Sequence, residues 1–354
     1  MAAMKKLSMV IAGAAFSASC LGLEPVRASH TFDGELPHRQ SNRPVVKDYL
    51  VVPPDPNIEG YYEPSGGLYN ILVDSKQTQG TSTLFNFLIP PGGGTIPHTH
   101  HRDDEVFYVL SGNLSVLQIN DNVETNLTAG PGGFVYLPQG RPHSFSNQGT
   151  ETVSTLSFFA PGGIENFFRF IGRPKQIGPG GPDFTYDNIV QQYPEEFAKI
   201  QFSLPVTNPG AKDFVVVESQ QQVGPVTSLV TKEQTTAGRF SAAILSLEPE
   251  LEMPLQTQSS DGQLFYALSS GFAFQLGNHV EELVAGSAVY IAPNTPYSLM
   301  NAGLTAAKLL SFSITTPVPE PTLIPSLVVV ALGLGVLRKK YPSKRKQAVK
   351  IEAN

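Results

Sequence analysis

The stretch 92-GGGTIPHTHHRDDEVFYVLSG-112, followed by 132-GGFVYLPQGRPHSFSN-147, decides how this 354-residue chain is read. His98 and His100 are two residues apart, so on a strand they face the same way while His101 faces the other. Glu105 opens the next apolar run, in which Glu105, Phe107 and Val109 share a face. His143 and Phe145 share a face after the turn that spans 138–142. If both stretches point into one barrel, three imidazoles and one carboxylate converge. Such nitrogen and oxygen donors suit one divalent transition metal ion (Mn, Fe, Ni, Co or Cu) and leave positions for water or substrate. Four of the seven histidines lie in these two stretches, a concentration that a random scatter would rarely give.

Outward from this pair, short apolar runs bounded by Gly and Pro recur at 84–89, 106–110, 114–119 and 134–137. Runs of that length and spacing predict an all-β barrel or sandwich over 61–160. Residues 161–212 break the pattern and read as a connector. Helices are expected at 165–171 and 194–200, punctuated by Pro174 and the Gly- and Pro-rich 178–182. The β pattern returns over 213–316, and pieces recur. Phe107-Tyr108-Val109-Leu110-Ser111-Gly112 matches Phe265-Tyr266-Ala267-Leu268-Ser269-Ser270-Gly271, and Pro142-His143-Ser144-Phe145-Ser146-Asn147 matches Pro296-Tyr297-Ser298-Leu299-Met300-Asn301. A repeat of about 155 residues is too long for a solenoid unit and reads as a duplicated domain. Opposite His98, His100 and Glu105 the second copy has Gln256, Gln258 and Gln263, and opposite His143 it has Tyr297. Neutral amides are poor ligands for these ions, so no metal is expected there. Residues 29–60, rich in Pro and polar side chains, read as a leading arm or a strand-exchange segment.

Gly and Pro total 62 residues, about 17 % of the chain and below the roughly 25–30 % typical of disorder, so they mark turns between strands. The single cysteine, Cys20, rules out a disulfide framework. Between 29 and 337 there are 14 basic and 28 acidic residues, a balance that repels a phosphate backbone and sets nucleic acid aside as a partner. The ends read as addresses. Residues 1–28 have a positive start at Lys5 and Lys6, an apolar run, and Val26-Arg27-Ala28 before a cleavage point, the pattern of a secretory signal peptide. A lipoprotein-type cut before Cys20 is the rival reading. At the other end, Pro319-Glu320-Pro321 is followed by an apolar stretch at 322–337 and a basic cluster that begins at Arg338. Sixteen apolar residues rise about 24 Å as a helix, short for a usual membrane span.

The two opening stretches resemble the cupin superfamily. Its first motif, G-x5-H-x-H-x4-E-x6-G, is met from Gly92 to Gly112, and its second, G-x5-P-x-G-x2-H-x3-N, from Gly132 to Asn147. The resemblance implies two double-stranded β-helix (jelly-roll-like) barrels, with His98, His100, Glu105 and His143 as metal ligands in the first and a degenerate second. The layout and the run Pro161-Gly162-Gly163-Ile164-Glu165-Asn166-Phe167-Phe168 further resemble quercetin 2,3-dioxygenases. That implies a metal-dependent dioxygenase acting on an aromatic, flavonol-like small molecule, with Glu105 taking the substrate hydroxyl proton. Phe107, Phe145, Phe85 and Phe87 are the expected apolar wall. Two readings stand beside it: an oxalate decarboxylase-like enzyme, and a non-enzymatic envelope protein that binds a small ligand or metal. The tail, 317–346, resembles a PEP-CTERM sorting signal. It implies an exosortase-type processing enzyme as partner, at least transient membrane contact and delivery to the envelope or outside, with an uncleaved anchor as the alternative. A monomer or a homodimer is expected.

Overall fold

The structure, a computed structural model, describes residues 41–120, 123–192, 210–221, 224–256 and 259–315. The signal peptide expected at 1–28, the helix expected at 194–200, Gln258 and the sorting tail expected at 317–346 lie outside these residues. Before the connector come β1 (Tyr49–Val52), β2 (Gly60–Tyr62), β3 (Leu68–Val73), β4 (Thr83–Ile89), β5 (Asp104–Ser111), β6 (Leu114–Asn120), β7 (Val123–Ala129), β8 (Phe134–Leu137), β9 (His143–Ser146) and β10 (Val153–Ala160). The connector holds α1 (Glu165–Ile171), β11 (Arg173–Pro174) and α2 (Tyr186–Gln192). After it come β12 (Val215–Val217), β13 (Val226–Val230), β14 (Phe240–Leu247), β15 (Glu252–Gln256), β16 (Gly262–Ala267), β17 (Phe272–Leu276), β18 (His279–Leu283), β19 (Ala288–Ile291), β20 (Tyr297–Asn301) and β21 (Ala307–Ile314). The chain is thus all-β with a partly helical connector, and α1 falls where its sequence predicts a helix. No helix among the described residues is long and apolar enough to cross a membrane.

Each barrel closes a large sheet against a small one. In the first, β11-β2-β3-β4-β10-β5-β8-β12 goes with β7-β6-β9; in the second, β1-β19-β16-β21-β14-β13 goes with β15-β20-β17-β18. Two strands trade places. β1, which precedes the first barrel in sequence, pairs with β19 of the second, Leu50 opposite Tyr290. β12, which precedes the second, pairs with β8 of the first, Val215 opposite Tyr136. β8 and β19 are equivalent strands, so the exchange is reciprocal. The sequence boundary at 213 groups 215–217 with the second barrel, whereas hydrogen bonding joins them to the first. Local apolar pattern does not encode which of two similar sheet edges a strand joins.

The large sheets are buried on both faces, and their alternation sorts residues between cores. On β5, Phe107 and Val109 point into the first barrel, while Val106 and Tyr108 point out against the second. On β10, Phe159 points in and Phe158 out, where it stacks on Phe312 at 4.1 Å and meets Phe240 edge-on at 5.0 Å. The outward residues of both large sheets, including Tyr136, Tyr290 and Leu310, form a shared core that joins the barrels. The second barrel has its own interior around Phe265, Phe274, Ile291 and Leu299.

The duplicated motifs keep an architectural residue that carries no metal chemistry. Asn147, fully buried, donates from Nδ2 to Ile89 O (2.8 Å) and Glu151 O (2.7 Å), and its Oδ1 accepts from Gly149 N (2.9 Å). Asn301 does the same with Leu247 O, Thr305 O (both 2.8 Å) and Gly303 N (2.9 Å). Each ties the turn after a motif strand to a neighbouring strand and pairs two carbonyls and one amide of the backbone there. Gly112 shows why its place in the motif suits glycine: φ is +76°, and a Cβ there would lie 2.9 Å from a Val153 methyl.

Candidate metal centre

His98, His100, Glu105 and His143 come together at one end of the first barrel, all four buried, with their donor atoms within 4.8 Å of one another. The expectation that His98 and His100 sit on a regular strand needs correction. His98 makes an isolated bridge to His143, the two exchanging backbone hydrogen bonds of 2.9 Å each way, and His100 lies in the extended link before β5. The shared direction survives because the bridge holds the link extended. Glu105 is the second residue of β5 and His143 the first of β9.

The turn that carries His143 is stitched to the segment that carries the other three. Gly140 N donates to His100 O (2.7 Å), Gln139 N to Asp104 Oδ1 (2.8 Å), and Gln139 Nε2 to His101 O. The 138–142 turn therefore cannot shift without moving the residues around His100 and Glu105.

Ring orientation is set by backbone carbonyls. His98 Nδ1 lies 2.8 Å from Ile96 O and His143 Nδ1 2.9 Å from Arg141 O. A carbonyl only accepts, so Nδ1 carries the proton in each and Nε2 presents its lone pair. Those Nε2 atoms face the centre: His98 Nε2 to His100 Nε2 is 3.2 Å, His143 Nε2 to Glu105 Oε2 3.1 Å, and His100 Nε2 to Glu105 Oε2 3.3 Å. Neighbouring ligands on an ion with bonds of about 2.1 Å are roughly 3.0–3.4 Å apart in octahedral or tetrahedral geometry. The donor set, its spacing and its locked tautomers fit such an ion.

The electrostatics point the same way. Burial pushes Glu105 up, but hydrogen bonds and charge from His100 and His143 outweigh it and hold the carboxyl down at about 2. Burial, then the neighbouring His143 and His100, push His98 well below the usual imidazole value. For His100 burial is outweighed by Glu105, and its value rises. The cluster thus holds an ionised carboxylate beside a neutral His98, the ligand forms a metal requires, whereas His100, raised by Glu105, gives up its proton when an ion binds.

Aromatic rings surround the interior below the cluster. Phe107 and Phe145 are 4.9 Å apart, Phe87 meets Phe145 at 5.6 Å, and Phe85 meets Phe159 at 5.9 Å. Phe159 pairs with Glu105 across β10 and β5 and lies 5.8 Å from the His100 ring. Phe85, Phe87, Phe107 and Phe145, expected as an apolar wall, are buried and pack on one another in the core of the barrel, together with Phe159, Tyr69 and Phe168, which sequence reasoning did not include. Tyr69 is stacked between Phe87 (3.7 Å) and Phe168 of α1 (3.9 Å). The adjacent pair Phe158-Phe159 carries the missed signal, since one must face in, but only the register says which. Among the described residues Arg169 is the one buried Lys or Arg, and it is bound to Glu59 and Asp74. His101 stands outside the four-residue group, and His279 is exposed on β18.

In the second barrel the register matches Gln256 with Tyr297 as His98 matches His143, and Gln263 with Ile291 as Glu105 matches Leu137. Gln256 is exposed and donates back to Pro254 O (2.9 Å). Gln263 Nε2 donates to Ser313 Oγ (3.0 Å) and Ser259 Oγ (3.3 Å). Tyr297 is buried beside Phe265 at 5.7 Å.

Comparison with known proteins agrees with this architecture. The family model described as Cupin domain matches residues 85–159, from β4 to the end of β10, and takes in all four donors. The chain therefore carries a cupin domain there. A germin-like protein, subfamily 1 member 4, of Arabidopsis thaliana is 31 % identical over 110 residues, 28 % of this chain and 49 % of that protein. The chain thus spans about half the length of that relative. An uncharacterized protein of Methanocaldococcus jannaschii is 25 % identical over 100 residues, 28 % of this chain and 77 % of that one. Among solved structures, oxalate decarboxylase from Bacillus subtilis superposes with a TM-score of 0.51 at 16 % identity, covering 88 % of each chain. Protein Ylba from E. coli gives 0.52 at 16 % identity, covering 78 % of this chain and 96 % of that one. At such identity the likeness is one of fold, the two-barrel cupin fold.

Proposed function

We propose that the chain binds one divalent transition metal ion in its first barrel and uses it as a dioxygenase of the quercetinase-like type, on a planar aromatic small molecule that bears a hydroxyl group. The observation that carries this reading is the pairing of a buried three-histidine, one-glutamate cluster with walls of Phe85, Phe87, Phe107, Phe145 and Phe159. His98, His100, Glu105 and His143 would hold the ion, which supplies Lewis acidity and exchange of electrons with dioxygen. The phenylalanines take the substrate ring by offset or edge contacts and keep water from it. Glu105, the carboxylate of the donor set, would accept the proton of the substrate hydroxyl once the ion has made that hydroxyl more acidic. The ring is oxidised, dioxygen is reduced, and both oxygen atoms end in the products.

A second reading, decarboxylation of a small dicarboxylate such as oxalate, is favoured by the fold: the Bacillus subtilis oxalate decarboxylase is a bicupin, and Mn(II) centres are described for it. Burying a dianion calls for compensating positive charge, and the one buried Lys or Arg among the described residues, Arg169, is already paired with two carboxylates. This chemistry therefore ranks second. The leader at 1–28 and the sorting tail at 317–346 support action outside the cytoplasm, which fractionation of cells producing the full chain tests.

The deciding experiment loads the purified full chain with Mn, Fe, Co, Ni or Cu in turn and follows oxygen uptake with a flavonol. Flavonol-dependent uptake that disappears in Glu105→Gln is expected. No uptake with any ion, together with carbon dioxide release from oxalate, would replace this reading with the second.

A further inference from the structure

We infer that Asp104 and the second barrel's Thr236–Arg239 segment position the ligands of the first barrel, so that the barrel without the four-donor set acts as part of the metal site. This rests on the metal reading above. Asp104 is fully buried, one residue before Glu105, and it is a hub. Its Oδ1 accepts from Gln139 N (2.8 Å) in the turn that carries His143. Its Oδ2 accepts from Thr236 N (3.1 Å) of the second barrel and lies 3.8 Å from Arg239 Nη1. Thr236 N also reaches Tyr136 Oη (3.1 Å) on β8, and Arg239 Nη1 reaches Ala160 O (3.5 Å) at the end of β10. One carboxylate thus joins the strand of Glu105, the turn of His143 and a clamp from the other barrel.

The pseudo-symmetry shows that the fold itself does not need this carboxylate. Tyr290 is the counterpart of Tyr136, and both rings lie in the core shared by the two barrels. The counterpart of Asp104, one residue before Gln263, is Gly262, where an added Cβ would lie 3.2 Å from the Tyr290 ring. The cross-barrel tyrosine contact is therefore kept on both sides, whereas the carboxylate stands only where the four metal donors stand. Partners that hold ligands in place typically change metal affinity about 10–100-fold when removed.

The test uses the full chain, titrated with Mn(II) alone by calorimetry and followed by Mn(II) electron paramagnetic resonance. Asp104→Ala is expected to weaken Mn(II) binding at least tenfold and to alter the resonance. Asp104→Asn, which keeps one acceptor for Gln139 N, loses less. Arg239→Ala, on the other barrel, weakens binding a few-fold, and Gln263→Ala leaves it unchanged. Amide exchange of residues 138–143 in the metal-free protein gives a second readout, expected to speed up in Asp104→Ala and Arg239→Ala. Wild-type affinity and an unaltered resonance in all three variants would overturn the inference. If wild type binds no ion yet exchange at 138–143 speeds up in the variants, the positioning hub stands and the metal reading falls. Should Asp104→Ala fail to fold, Asp104→Asn and Arg239→Ala decide by the same measurements.

Discussion

Replacing Arg169 with Met should be among the most destabilising single changes in the first barrel, by an amount that depends on pH. Arg169 sits on α1 with its guanidinium buried. Nε and Nη2 bond Glu59 at 2.8 and 3.2 Å, Nη2 bonds Asp74 at 2.8 Å, and Nη1 lies 4.0 Å from Glu165. The Asp74 and Glu165 side chains are fully buried, and Glu59 is about a third exposed. Each carboxylate keeps other partners: Glu165 has Thr83 Oγ1 at 2.6 Å and Gly163 N at 3.0 Å, Asp74 has Ser41 Oγ, Gln77 N at 3.0 Å and Arg43 Nε at 3.9 Å, and Glu59 has Arg43 Nη2 at 3.3 Å, so the loss falls at the lower end of the range for a buried pair. Removing one partner of a buried ion pair costs about 3–5 kcal/mol, because the other charge is left without compensation. Burial raises the carboxyls of Glu59 and Asp74, and their hydrogen bonds, those from Arg169 among them, outweigh it and hold both below the usual carboxylate range. A depressed folded-state value contributes stability that is present above the unfolded value of about 4 and is lost as pH falls through the folded one. Without Arg169 that contribution shrinks, the Ser41 and Gln77 bonds to Asp74 and the charge of Arg43 beside Glu59 remaining, and protonation relieves the charge that has lost its guanidinium. The difference between wild type and Arg169→Met is therefore largest near neutral pH and shrinks as pH falls below ~4. Urea denaturation followed by circular dichroism, stepped from neutral to acid pH, measures it. A difference under ~1 kcal/mol at neutral pH, or one that stays constant across the range, would refute the reasoning.

Phe158→Ala should cost about 3–5 kcal/mol and lower one cooperative unfolding transition rather than split it, because its ring lies in the core shared by both barrels; denaturation curves from two probes test this. Asn301→Ala should cost about 1–3 kcal/mol, by leaving buried backbone carbonyls unpaired, yet leave metal content unchanged by mass spectrometry. His98→Ala and His143→Ala should each strip the metal while the far-ultraviolet circular dichroism is kept, and retained metal would overturn the ligand assignment. Gln256→Ala and Tyr297→Ala should leave metal content as it is.

The sequence by itself determined the parts that depend on short-range spacing. The two motifs placed His98, His100, Glu105 and His143 as one set because side-chain alternation and tight turns are local properties. The helix at α1 and the duplication were legible for the same reason. The second copy's loss of ligands was visible as Gln256, Gln263 and Tyr297 standing at matched positions. Only the tertiary structure decided what depends on which strands meet. The reciprocal exchange of β1 and β12 puts each strand on the other barrel's sheet, and nothing in Tyr49–Val52 or Val215–Val217 names its partner. The sorting of Phe158 outward and Phe159 inward follows from the register of β10 between β4 and β5. The role of Asp104 follows from Thr236 and Arg239, more than 130 residues away in sequence, which reach it only because the two outer faces share a core. Pairing, register and barrel contact are long-range choices made by the whole chain's burial, which no local window of residues contains.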